Sequence, residues 1–110
     1  RRMLARMIVG SRAVGVFCRR CGELLQSGSP GAMLETAIAK YLASQVAREA
    51  TADSVQICGG EGCLEGHIVE RFFRDAKVME IVEGATEVLE MLIAGHGMRE
   101  QVAAASDTDE

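Results

Sequence analysis

From Ala32 to Val55 the chain contains neither glycine nor proline, is rich in alanine, and sets Leu34, Ile38, Leu42, Val46 and Ala50 on one helical stripe. An unbroken run of that length predicts a long amphipathic helix with Lys40, Arg48 and Glu49 on its wet side. The rest of the chain has to pack against that rod or lead into it.

Upstream, Met3, Met7, Gly10, Val14, Phe17, Cys21 and Leu24 recur at alternating spacings of four and three, with Leu4, Ile8, Cys18 and Leu25 alongside. This is a second long helix, ended by Ser27-Gly28-Ser29-Pro30-Gly31, where Ser29 and Pro30 form an N-cap and first-turn pair for the helix that follows. Downstream, Gln56 to His67 places four glycines in twelve residues and reads as a loop. A short amphipathic helix follows at about Ile68 to Ala76. A fourth starts at about Ala85, after Glu83-Gly84, and runs to Ala94 or on to Val102. No strand-like alternation and no internal repeat is present. The fold class is therefore all-α, an antiparallel helical bundle, over residues 1–102, with a disordered acidic tail at 103–110. Soft Met, Ala and Cys stripes in a chain of 110 residues predict an incomplete core and an exposed apolar face.

With 48% hydrophobic and 25% charged residues, the composition is neither that of a disordered chain nor that of a collagen. The apolar runs are too short for a membrane span, and the basic start has no signal-peptide core behind it. The first 22 residues carry six arginines and no acid, leaving 6 basic against 16 acidic residues in the remainder. Those arginines spread around the helical wheel without interleaved aromatics, which speaks against nucleic-acid binding. The opening Arg1-Arg2-Met3-Leu4 already lies inside the periodic pattern and reads as the start of a piece of a longer polypeptide. Cys18 and Cys21, with Cys58, Cys63 and His67, imitate a zinc site. The x4 spacing of the second pair and the helical spacing of the first argue for no metal.

Three features carry candidate chemistry. Gly59-Gly60-x-Gly62 lets backbone N–H groups approach a phosphate or a flat cofactor, yet a helix-ending turn explains the glycines alone. The segment Arg71-Phe72-Phe73-Arg74-Asp75-Ala76-Lys77 is adequately read as a solvated amphipathic helix. Glu83 stands between apolar Ile81-Val82 and Gly84. Either it stabilises a helix N-terminus through the dipole, the reading local sequence favours, or it is a carboxylate with hydrophobic walls, usable as a base near neutral pH.

In order, Ala37 to Ala47, Val55 to Gly62 with its Q-x-x-G-G-x-G pattern, and Val69 to Glu87 with V-E-R-x-x-R-D-A and E-G-x-T-E closely resemble the C-terminal helical domain of the acyl-CoA dehydrogenases. The resemblance spans nearly the whole chain. It implies part of a four-helix C-terminal domain of an FAD enzyme that forms a homodimer or homotetramer, with the remaining domains elsewhere in the same chain. It implies Glu83 as catalytic base for α,β-dehydrogenation of an acyl-CoA or acyl-carrier thioester, with Gly84 leaving space for the substrate. Gln56, Gly59 and Gly60 would meet the adenosine and pyrophosphate of an FAD bound mainly by a neighbouring subunit. Ala85, Thr86 and Glu87 would approach the flavin of their own subunit. Electron-transfer flavoprotein or another acceptor would take the electrons, in the cytoplasm or, in a eukaryote, the mitochondrial matrix. This piece alone would be inactive.

Cys58, Glu61, Gly66-His67-Ile68, Val82 and Ala85 depart from the usual family pattern. The missing Tyr before the base and the missing Pro before the short helix leave open a branch acting on carrier-protein thioesters. A non-catalytic helical oligomerisation module is the alternative of a different class.

Overall fold

A computed structural model describes residues 1–106. Four α-helices follow in order, α1 (Arg2–Gln26), α2 (Ala32–Cys58), α3 (Ile68–Met79) and α4 (Thr86–Ser106), with a 3-10 turn at Gly59–Cys63. The described residues contain no strand, so the all-α expectation holds. None of their helices is long and apolar enough to cross a membrane.

Helix α2 is the shared spine. Among the described residues α1 packs on α2 and on no other helix, and α3 and α4 also pack on α2 but not on each other. Arg6 pairs with Asp53 and the Cys21 thiol donates to the Glu35 carbonyl, so α1 and α2 run antiparallel. Contacts of α3 and α4 with α2 descend in the same sense: Glu80 meets Arg48, and Glu90 faces Tyr41. The two later helices therefore lie end to end along one side of α2, giving a body of 64 × 26 × 25 Å.

Most of the stripe expected on α1 packs: Met7, Gly10, Val14, Phe17 and Leu24 are half-buried and Cys21 is buried, while Met3 at its start is exposed. Gly10 lets the helices close, since a Cβ there would lie 2.9 Å from a methyl of Val46. Leu4, Ile8 and Leu25, beside the stripe, are exposed, which is the open apolar face the composition predicts. On α2 the buried positions are Ala32, Ala37, Ala39, Ser44 and Asp53, and no large side chain among the described residues is fully buried. The expected single stripe is a simplification, because a helix contacted by three others has no single inner face.

Some boundaries move. Pro30 and Gly31 sit in a turn closed by the Ala32 N–H donating to the Ser29 carbonyl, so Gly31 occupies the cap position and Ser29 caps nothing. Helix α2 continues through Gln56 to Cys58, and α3 continues to Met79. Helix α4 extends through 103–106, and the rest of the segment read as a tail, 107–110, lies outside the described residues.

Candidate active site

The junction between α3 and α4 carries the most constrained backbone. Helix α3 is capped by Glu80, whose carbonyl accepts from the Thr86 N–H at 3.0 Å and from the Thr86 hydroxyl at 3.3 Å. Five residues are thus looped out. At the apex Glu83 has φ 56°, the only positive φ outside glycine among the described residues, and Gly84 follows at φ 105°. A left-handed conformation costs a residue with a Cβ roughly 1–2 kcal/mol and persists only where the surroundings over-determine it. The Nζ of Lys40, on α2, donates to the Gly84 carbonyl and supplies one such restraint.

Glu83 is itself exposed and lines a groove of about 340 Å³ with Lys40, Ala43, Ser44, Ala47, Met79 and Val82. The accessible walls of this groove are apolar, in keeping with the hydrophobic surroundings read from Ile81-Val82. Gly84, Ala85 and Thr86 are half-buried and Glu87 is exposed, so residues 83–87 form one cluster at the start of α4.

Below that cluster the Glu80 carboxylate is nearly buried. It pairs with Arg48 at 2.9 Å and Lys77 at 2.6 Å, and Gln45 donates to it at 3.4 Å. The hydrogen bond from Lys77 holds its carboxyl below the usual carboxylate range, against the opposing effect of burial and with further help from Arg48.

The glycine turn is a second, separate cluster. Gln56, Gly59 and Gly60 are exposed at the C-terminal end of α2. Gly59 has φ 61°, and a Cβ at Gly59 or Gly60 would meet nothing within 4 Å, which leaves their backbone open to a ligand. Gly62 differs: a Cβ there would stand 2.9 Å from the Val55 carbonyl oxygen and from the Cys58 Cβ, so only glycine fits. Gln56 lies nine residues beyond Ala47 on α2, roughly 13 Å along the axis at helical rise. The structure accordingly brings Glu83, Gly84, Ala85, Thr86 and Glu87 together and keeps Gln56, Gly59 and Gly60 apart from them.

The pattern described as the C-terminal domain of acyl-CoA dehydrogenase matches residues 1–98. The chain belongs to the acyl-CoA dehydrogenase family. It is 37% identical over 90 residues to cyclohex-1-ene-1-carbonyl-CoA dehydrogenase from Geobacter metallireducens, covering 82% of this chain and 24% of that protein. It is 34% identical over 93 residues to subunit CarC of the caffeyl-CoA reductase–Etf complex from Acetobacterium woodii, covering 84% of this chain and 24% of that one. A crystal structure from Mycobacterium smegmatis assigned to the acyl-CoA dehydrogenases superposes with a TM-score of 0.81 at 29% identity, over 86% of this chain and 25% of the other. The chain thus spans about a quarter of the length of these relatives.

Within this acyl-CoA dehydrogenase domain, three structurally constrained positions escape a reading by pattern. Lys40 has the spacing of a wet-side residue, yet it is half-buried in the groove beside Glu83. Glu80 looks like any acid on an amphipathic helix, and Gly62 like one loop glycine among several. A lysine 44 residues from the carbonyl it meets carries no local signal of that long-range partner. Gly62 has one only in general terms, since glycine is the residue that permits close backbone approach. The cysteines stay free, with Cys18 and Cys21 on α1 near the start of α2 and Cys58 and Cys63 near its far end. Among the described residues no group of three His, Cys, Asp or Glu could hold a metal ion.

Proposed function

We propose that the protein containing this chain is an FAD-dependent acyl thioester dehydrogenase in which Glu83 removes the α-proton. The observation that carries this reading is the left-handed backbone of Glu83 at the mouth of an apolar groove, held by restraints from α2. A helix-capping glutamate needs no such conformation. The family membership supports the FAD assignment, and the open backbone at Gly59 and Gly60 fits a nucleotide diphosphate.

FAD, when bound, supplies the acceptor for the hydride that leaves the β-carbon. The Glu83 carboxylate takes the α-proton as that hydride departs, so no free carbanion has to form. Ala43, Ala47, Met79 and Val82 offer the acyl chain apolar contacts beside the acid. Gly84 presents no side chain towards the thioester, and Lys40 keeps its carbonyl turned to α2. Ala85, Thr86 and Glu87 border the flavin of the same subunit, while Gln56, Gly59 and Gly60 serve the adenosine and pyrophosphate of the FAD of a neighbouring one. This division requires a homodimer or homotetramer and the remaining domains of the chain. The likeness to a subunit of an Etf complex supports electron-transfer flavoprotein as the redox partner.

The test is made on the full-length protein. Glu83→Gln should retain FAD while acyl-CoA no longer bleaches the flavin; bleaching at the wild-type rate would remove Glu83 from the reaction.

A further inference from the structure

We infer that Glu80 is a positioning residue for the Glu83 base. This rests on the role proposed for Glu83. Two independent parts of Glu80 act on the same loop. Its carbonyl closes the loop by accepting both the N–H and the hydroxyl of Thr86. Its carboxylate fastens the end of α3 to α2 through Arg48 and Gln45 and to α3 itself through Lys77.

The carboxylate side chain is 8% exposed, and both cations that pair with it lie partly in solvent. A nearly buried acid with two cationic partners and an amide has a single favourable placement, so the Glu80 backbone is held in register with α2. Glu83 begins three residues later and is strained, and such a conformation relaxes when its anchor moves. Lys40 secures the loop on its other side at Gly84, so the apex is held from both ends by one rigid helix. Glu80 lies off the groove that Glu83 lines, which separates holding the base from touching the substrate.

The experiment compares Glu80→Ala, Glu80→Gln and Glu83→Gln in the full-length flavoprotein, reading FAD content, flavin bleaching by acyl-CoA, and the isotope effect with α-deuterated acyl-CoA. Expected for Glu80→Ala is normal FAD content and KM, a kcat lowered about tenfold or more, and a larger α-deuterium effect, because a displaced base makes proton transfer more limiting. Glu80→Gln keeps acceptor and shape and should recover most of the rate. A Glu80→Ala protein whose FAD-loaded fraction bleaches at the wild-type rate, or whose isotope effect stays unchanged, overturns the inference. If Glu80→Ala does not fold, Arg48→Met removes one partner and is judged by the same readouts. Loss of bleaching in Glu83→Gln with none in Glu80→Ala overturns positioning alone, whereas bleaching in Glu83→Gln overturns the base assignment itself.

Discussion

The ammonium of Lys40 donates to the carbonyl of Gly84, tying the middle of α2 to the residue after the left-handed Glu83. Lys40→Met should leave that carbonyl without its partner, costing about 1 kcal/mol because water still reaches it. Thioester-dependent bleaching should fall roughly tenfold. Urea unfolding and stopped-flow bleaching of the full-length protein check the two halves of this expectation separately.

Glu83 should be a residue whose conformation costs stability. Glu83→Gly removes the Cβ that makes φ 56° unfavourable, so the variant should unfold at a urea concentration corresponding to a gain of up to ~1 kcal/mol while losing flavin bleaching. Gly84→Ala should do the reverse. At φ 105° an added Cβ is strained and would stand 3.4 Å from Leu89 Cδ2, and a loss of about 1–3 kcal/mol is expected in the same measurement.

Gly62→Ala should destabilise by about 1–3 kcal/mol, since the methyl group meets the Val55 carbonyl and the Cys58 side chain with no space to yield. Gly60→Ala, with nothing within 4 Å, should leave thermal unfolding of the FAD-free protein unchanged. A difference between the two in FAD-free protein isolates packing from any ligand contact.

Acid should loosen the α3 end through Glu80. Its folded pKa lies below the ordinary value of about 4.3, so its stabilising effect is complete above that value. The effect disappears as pH falls through the lower folded pKa. Thermal midpoints between pH 6 and pH 3 should therefore drop more for the wild type than for Glu80→Gln, with the curves converging at the acid end.

Much of this architecture is legible in the sequence. The 4-3 recurrence from Met7 to Leu24 marks the packed face of α1 because, among the described residues, that helix has one helical neighbour. The same reasoning fails for α2, where three neighbours bury Ala37, Ser44 and Asp53 on different sides and the Leu34–Ala50 stripe is only partly covered. At the site, Glu83 and its glycine were legible as an ordered motif. The left-handed backbone at Glu83 was not, since it is imposed by Lys40 and by hydrogen bonds to the Glu80 carbonyl that join residues far apart or out of period. Arg6 and Asp53 illustrate the same limit: a bidentate pair 47 positions apart leaves no trace in either helix pattern.

Helices α3 and α4 share one flank of α2 as two lengths of track laid on a single rail, with Glu83 at the gap. The rail, not the gap, then sets where the acid stands. Lengthening the segment between Met79 and Thr86 by one residue would swell the apex outward, while an insertion inside α2 between Lys40 and Arg48 would rotate the two fastening points about 100° relative to each other. The stretch from Lys40 to Arg48 therefore has to keep its length if the Glu83 loop is to stay seated on α2.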